Sequence, residues 1–206
     1  MIRNIIFDMG GVLVDVHRER AVRHFKAIGV SDAEALIDHY HHKGLFFDFE
    51  NGHMDTADFC RLLGRHAGKV IPQEAIEKAW RSIIDPPPIY KLDFLLKLRQ
   101  TRKLFLLTNN NPIIFSWACM PDFTQTGRVF PDYFDKAYVS FQMKCMKPNV
   151  KIYHMLIEDS GINPAETLFI DDSDLNIQTA REFGFFVLHV ENGSDWRHEI
   201  NIMINH

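Results

Sequence analysis

Cysteine is scarce in this chain. The 206 residues hold three, Cys60, Cys119 and Cys145, odd in number, widely spaced and without a CxxC pair. That excludes a disulfide framework and a zinc ribbon, and it suits a reducing cytoplasm. Long apolar runs are missing too: none approaches the ~20 residues that cross a bilayer, so no membrane partner is expected. The opening stretch, MIRNIIFDMGG, is apolar only briefly and contains an Asp, which does not read as a signal peptide. Positive charge is not in excess. Lys and Arg total 23 against 27 Asp and Glu, a net charge of -4, which argues against a nucleic-acid partner. Low-complexity segments and internal repeats are likewise lacking. With 46% hydrophobic and 24% charged residues the chain is too apolar for disorder. Its length fits one large domain, or one domain with an insert.

Short apolar runs bounded by turn residues read as buried strands. They occur at 3–8 (RNIIFD), 12–15 (VLVD), 103–111 (KLFLLTNNN), 167–172 (TLFIDD) and 185–190 (FFVLHV), with a weaker one at 135–140 (DKAYVS). Helical periodicity covers 88–100, 149–160 and 174–183 between them. The alternation predicts an α/β class fold, a doubly wound Rossmann-like parallel sheet covered on both faces. Residues 16–87 differ. They lack strand-like runs, and helical patterns cover about 17–28, 31–42, 54–67 and 72–84. Ser31 with Glu34 makes a capping box, and Asp55 before Asp58 is a weaker start signal. Pro86, Pro87 and Pro88 form a stiff boundary. The expected division is therefore a core of 1–15 and 88–206 with a helical insert at 16–87. Segment 112–134 starts as a helix and continues as a long loop. The final DWRHEINIMINH places Trp196, Ile200 and Met203 on one helical face.

Ligands of open α/β sheets bind beyond the carboxyl ends of the strands. Asp8, then Thr108 with Asn109 and Asn110, then Asp171 and Asp172 stand at such ends, and Lys147 precedes a helix on the same side. This set suits phosphoryl transfer with a divalent metal. Asp8 is ionised at neutral pH and is able to attack phosphorus. Repulsion between anions then needs Mg²⁺ on hard oxygen ligands, from Asp8, Asp172 and the Gly10 carbonyl. Lys147 pairs with the phosphate and Asp8. Thr108 and the Asn109 backbone N–H bind phosphate oxygens.

In this order, IIFDMGGVLVD, LLTNNN, MKPNVKIY and FIDDSDLNIQTAREFG resemble the four motifs of the haloacid dehalogenase-like hydrolase superfamily. The likeness spans residues 2–15 and 88–190, and the helical insert sits where the type-1 (C1) cap belongs. It is strongest to the branch of small cytoplasmic sugar-phosphate phosphatases similar to α-D-glucose-1-phosphate phosphatase. The resemblance implies Asp8 as nucleophile, Thr108 and Asn109 as phosphate binders and Lys147 as charge stabiliser. It implies Asp172 as metal ligand, supported by Asp171 and Asn176. The expected substrate is a small phosphorylated metabolite, hydrolysed by a monomer or homodimer. A metal-independent haloacid dehalogenase is an alternative, disfavoured by the paired Asp171 and Asp172. A phosphonate-cleaving relative would need a cap lysine, and neither Lys26 nor Lys43 stands out.

One position departs from the family. Its phosphatases usually carry Asp two residues after the nucleophile, as general acid and base, and this chain has Gly10. Three explanations stand open. A residue of LFFDFENGHMD (Asp48, Glu50 or His53) replaces it; the leaving group is good enough to need less help; or catalysis is weak, at the limit a phosphometabolite-binding or scaffold protein. Glu50 and His53 are the candidate substrate contacts. Plainer readings apply elsewhere. Asp15 starts the first insert helix. His39, His41 and His42 lie on a solvated helix face rather than at a metal. Cys145 is not a nucleophile. Phe46, Phe47 and Trp80 either line the pocket or pack the insert.

Overall fold

A computed structural model describes residues 1–38 and 42–205. Five strands, β1 (Asn4–Phe7), β2 (Lys103–Thr108), β3 (Lys136–Val139), β4 (Thr167–Asp171) and β5 (Phe186–His189), form one parallel sheet in the order β3-β2-β1-β4-β5. The central strands β1 and β4 are buried throughout, which explains their unbroken apolar runs. Edge strand β5 exposes Phe186. Phe7 lies opposite Leu106 on one side and Ile170 on the other. That register brings Asp8, Thr108 and the 171–172 pair to one edge of the sheet.

Helices Ile89–Leu98, Val150–Ser160 and Asp174–Glu182 follow the expected periodicity. Asn111 caps helix Pro112–Ala118 by accepting from the N–H groups of Ile113 and Ile114, both at 3.1 Å. A 3₁₀ turn at Phe130–Tyr133 follows the loop beyond it. The last helix, Arg197–Asn205, packs Ile200 and Ile204 inward beside Trp196.

Among the described residues, five helices lie between β1 and helix Ile89–Leu98: Arg18–Ala27, Ala33–Leu36, Leu45–Glu50, Thr56–His66 and Gln73–Arg81. Asp55 caps its helix as expected, accepting from Asp58 N–H at 2.8 Å. Four expectations fail. Of the helix predicted over 31–42, the described residues form only Ala33–Leu36, because Ile37 turns to extended backbone and buries its side chain. Its capping box does not form either, since Lys26 takes the Glu34 carboxylate at 2.6 Å. His39 and His41 lie outside the described residues. The run VLVD is a turn, not a strand: Leu13 and Val14 both donate to the Met9 carbonyl. Asp15 starts no helix, and His17 precedes Arg18–Ala27 instead.

Phe25, Phe46, Phe49, Phe59 and Trp80 are fully buried and form an aromatic cluster inside the helical segment. This cluster is continuous with the apolar core under the sheet. The chain enters and leaves the helical segment side by side. Val16 bridges Ile84, His17 N–H donates to the Ile83 carbonyl, and Asp85 N–H donates to the Asp15 carbonyl. Among the described residues no helix is long and apolar enough to cross a membrane, and all three cysteines are free.

Candidate active site

Asp8, Gly10, Thr108, Asn109, Asn110, Lys147 and Asp172 line one cavity with Glu50, His42 and Trp80 of the helical segment. The sheet supplies the cavity floor. Asp8 follows directly on β1, and its N–H donates to the Ile170 carbonyl. Its Oδ1 accepts from Met9 N–H at 2.7 Å and pairs with Lys147 Nζ at 3.0 Å. Lys147 is buried, and its ammonium donates to Asp171 Oδ2 at 2.6 Å. Burial alone would lower its pKa, but the carboxylates of Asp171 and Asp8 outweigh burial and hold it above the usual lysine range.

The loop carrying Lys147 is fixed by Asn109. That amide accepts from Lys147 N–H at 2.8 Å and donates to the Lys147 carbonyl at 2.9 Å. The side chain of Asn109 is therefore a clamp on Lys147, which leaves its backbone for a phosphate. Asn110 lines the cavity, but its amide nitrogen is directed at Met9 Sδ and its Oδ1 accepts from Asn111 N–H. Thr108 ends β2 almost fully buried, its hydroxyl making only a long 3.4 Å contact to the Asn109 carbonyl.

Ligand oxygens of Asp8, Asp171 and Asp172 lie within 4.8 Å of one another. The two aspartates of the pair differ in what they touch. Asp171 is saturated: Oδ2 takes Lys147, while Oδ1 takes Ser173 N–H and the Asn176 amide, both at 2.9 Å. The Asp172 carboxylate presses against the turn at Gly11, where φ is +72° and an added Cβ would sit 2.1 Å from its Oδ2. Only glycine allows that approach. Desolvation raises the Asp8 pKa to about 7, with Lys147 lowering it and Asp171 and Asp172 raising it further. Desolvation and then Asp171 raise Asp172 to about 6. One ammonium serves three carboxylates, so the cluster lacks positive charge. Asn176 Oδ1 is buried with no hydrogen-bond partner among the described residues. Hard oxygen donors short of a cation fit Mg²⁺.

Of the cap residues expected at the site, Glu50 is buried and lines the cavity. His53 does not line it. Its ring is half exposed and pairs with Asp48 at 3.2 Å, so this pair is a surface contact. Phe46 packs inside the helical segment, Phe47 is exposed, and Trp80 lines the cavity. Neither Lys26 nor Lys43 does. His42 is the residue that sequence reasoning missed. The chain has left helical conformation before it, so the helical spacing that placed it on a solvated face does not apply. Its side chain is nine-tenths buried in the cavity wall, 3.6 Å from Glu50.

Helical segment and core meet at Ser140. Its hydroxyl serves the Glu50 carbonyl at 2.7 Å and the Asn110 carbonyl at 3.1 Å, and accepts from Asn110 N–H at 2.9 Å. Beside it Gly52, at φ +72°, comes so close that a Cβ would lie 2.0 Å from the Phe141 carbonyl oxygen. At Gly10 an added Cβ would lie 3.2 Å from Val16 Cγ2, so Val16 crowds the space an acid there would occupy.

Comparison with known proteins places this geometry. The family model of the haloacid dehalogenase-like hydrolases matches residues 2–184. A D-ribitol-5-phosphate phosphatase of Bacteroides thetaiotaomicron is 40% identical over 205 residues, covering 100% of both chains. A structure described as a predicted hydrolase of this family from Porphyromonas gingivalis superposes with TM-score 0.96 at 41% identity, covering 100% of this chain and 99% of its own. A Bacteroides thetaiotaomicron enzyme of the family, solved with magnesium and inorganic phosphate, gives TM-score 0.90 at 38% identity, covering 97% and 99%.

Proposed function

The chain belongs to the haloacid dehalogenase-like hydrolases, and from that footing we propose that it is a Mg²⁺-dependent phosphatase of a small sugar or polyol phosphate. The observation that carries the reading is the meeting of Asp8, Lys147, Thr108 and Asp172 in one cavity. The full-length likeness to a ribitol-phosphate phosphatase supports the substrate class. So does a buried cavity-wall nitrogen, Trp80 Nε1, which has no hydrogen-bond partner among the described residues and suits a hydroxyl of a polyol.

In this mechanism the phosphate sits on Thr108, the Asn109 N–H and the Lys147 ammonium. Asp8 attacks phosphorus, the ester oxygen leaves, and water then hydrolyses the aspartyl-phosphate. Lys147 neutralises charge on both Asp8 and the phosphate, and Asp171 holds it in place. Asp8, Asp172 and the Gly10 carbonyl are the residues that would hold Mg²⁺, with Asn176 beside them. When bound, Mg²⁺ offsets the repulsion between carboxylate and phosphate. Residues 16–87 act as the cap, which grips the leaving group and excludes water. Three unpaired cysteines suit a cytoplasmic setting.

The test is 4-nitrophenyl phosphate hydrolysis with Mg²⁺, with EDTA, and with Asp8→Asn in Mg²⁺. Turnover that requires both metal and Asp8 is expected. Binding of a polyol phosphate without any turnover would instead mark a binding protein.

A further inference from the structure

An alkoxide is a poor leaving group, and a simple phosphate ester needs a proton delivered as its P–O bond breaks. Gly10 offers no side chain for this task. The other groups on the cavity floor are engaged. Lys147 is held by Asp8 and Asp171, and Asp172 belongs to the carboxylate cluster. The phosphate must face that floor, so the ester oxygen faces the wall built by the helical segment. There, among the described residues, the titratable side chains are His42 and Glu50.

His42 has the form of an oriented acid. Its Nε2 lies 3.6 Å from Glu50 Oε1, at ion-pair distance, with both side chains about nine-tenths buried. Its Nδ1 is buried and has no partner among the described residues. Phe46 and Trp80 flank the ring, with centroids 6.3 Å and 5.6 Å away, and fix its plane without competing for a proton. Glu50 is anchored in turn, because its carbonyl is bound by Ser140, which also holds Asn110 at the phosphate end of the cavity.

We propose that His42, oriented by Glu50, is the proton donor to the leaving group, replacing the acid that Gly10 lacks. This assignment rests on the phosphatase reading. In the first half-reaction the Asp8–phosphorus bond forms, the P–O(ester) bond breaks, and the Nδ1 proton of the His42 imidazolium passes to the departing oxygen, giving the free alcohol. In the second, neutral His42 takes a proton from the water that attacks the aspartyl-phosphate, which releases phosphate, frees Asp8 and restores the imidazolium.

The experiment compares 4-nitrophenyl, phenyl and ethyl phosphate, none of which carries a hydroxyl for binding, in wild type, His42→Gln, His42→Asn and Glu50→Gln. Proton donation is typically worth ~10²–10⁴ in rate. Loss of the donor should therefore cut kcat/KM for ethyl phosphate by about that factor, phenyl phosphate less, and 4-nitrophenyl phosphate least. Glu50→Gln should steepen the dependence in the same direction but less. Residual 4-nitrophenyl phosphate turnover certifies that each variant is folded. Equal losses on all three esters, or none, overturn the assignment and leave the phosphatase reading intact. Wild-type protein without Asp8-dependent turnover of any ester overturns the phosphatase reading itself, and His42 with it.

Discussion

Asp8 and Asp172 are acids folded into a place where burial and neighbouring carboxylates disfavour their ionisation. Their pKa values rise to about 7 and about 6, chiefly through burial. An unfolded Asp titrates near ~3.9. Between that value and the folded one, the native state binds more protons than the unfolded state, so stability falls as pH rises. Whatever these two groups contribute is fully present below about pH 4 and is lost as pH climbs through about 6 to 7. In EDTA the wild-type melting temperature should decline across that window more steeply than that of Asp8→Asn, measured by calorimetry in matched buffers. Added Mg²⁺ should reverse the wild-type decline near neutral pH. Parallel pH curves for wild type and variant would show that burial does not strain Asp8. The Lys147 pKa is raised as well, because Asp171 and Asp8 outweigh burial, so it stays charged throughout this window and does not shape it.

At the level of elements, the Ser140 hydroxyl joins the helical segment to the loop after β2. Ser140, at the end of β3, holds the Asn110 N–H from the core and the Glu50 carbonyl from helix Leu45–Glu50. Ser140→Ala removes the hydroxyl that both groups use in a buried site, at a cost of about 1–3 kcal/mol. For a chain of this size that means a fall of roughly 2–4 °C per kcal/mol in melting temperature. Because the lost contact seats Glu50, kcat/KM should fall further than the stability loss explains at temperatures well below the transition. A variant that melts early but keeps wild-type kcat/KM would show that Ser140 is only structural. The same junction marks where sequence reading ends. Strands, their order of motifs and the residues at their ends were legible, because short apolar runs stopped by Asp8, Thr108 and Asp171 are local signals. The Asn109 clamp on Lys147, the saturation of Asp171 and the place of His42 were not. The Asn109 clamp and the Lys147 contact to Asp171 depend on segments 38 and 24 residues apart, and 31–42 carried a helical pattern that tertiary burial of Ile37 overrode.

For the whole molecule, a single apolar cluster runs from Ile5 and Phe7 in the sheet to Phe46, Phe59 and Trp80 in the helical segment. The two crossings are laced together at Val16, His17 and Asp85, and Asn192 grips both the N–H and the carbonyl of Val16 at 2.9 and 3.0 Å. The helical segment and the sheet therefore share their hydrophobic stabilisation, and the chain should unfold in one cooperative step. At the proposed site Mg²⁺ would bind only the folded arrangement, because Asp8 and Asp172 come from segments far apart in sequence. At one hundred times its dissociation constant it should add about 2.7 kcal/mol. At the scale used for Ser140, that is a rise of roughly 5–10 °C in a single calorimetric transition. Asp172→Asn should keep the single transition and lose the rise, whereas Asp171→Asn should also destabilise the metal-free protein, since Lys147, Ser173 and Asn176 all depend on it. Two resolved transitions would separate cap from core. A full Mg²⁺ shift in Asp172→Asn would move the metal to Asp171 and exchange the roles of the pair.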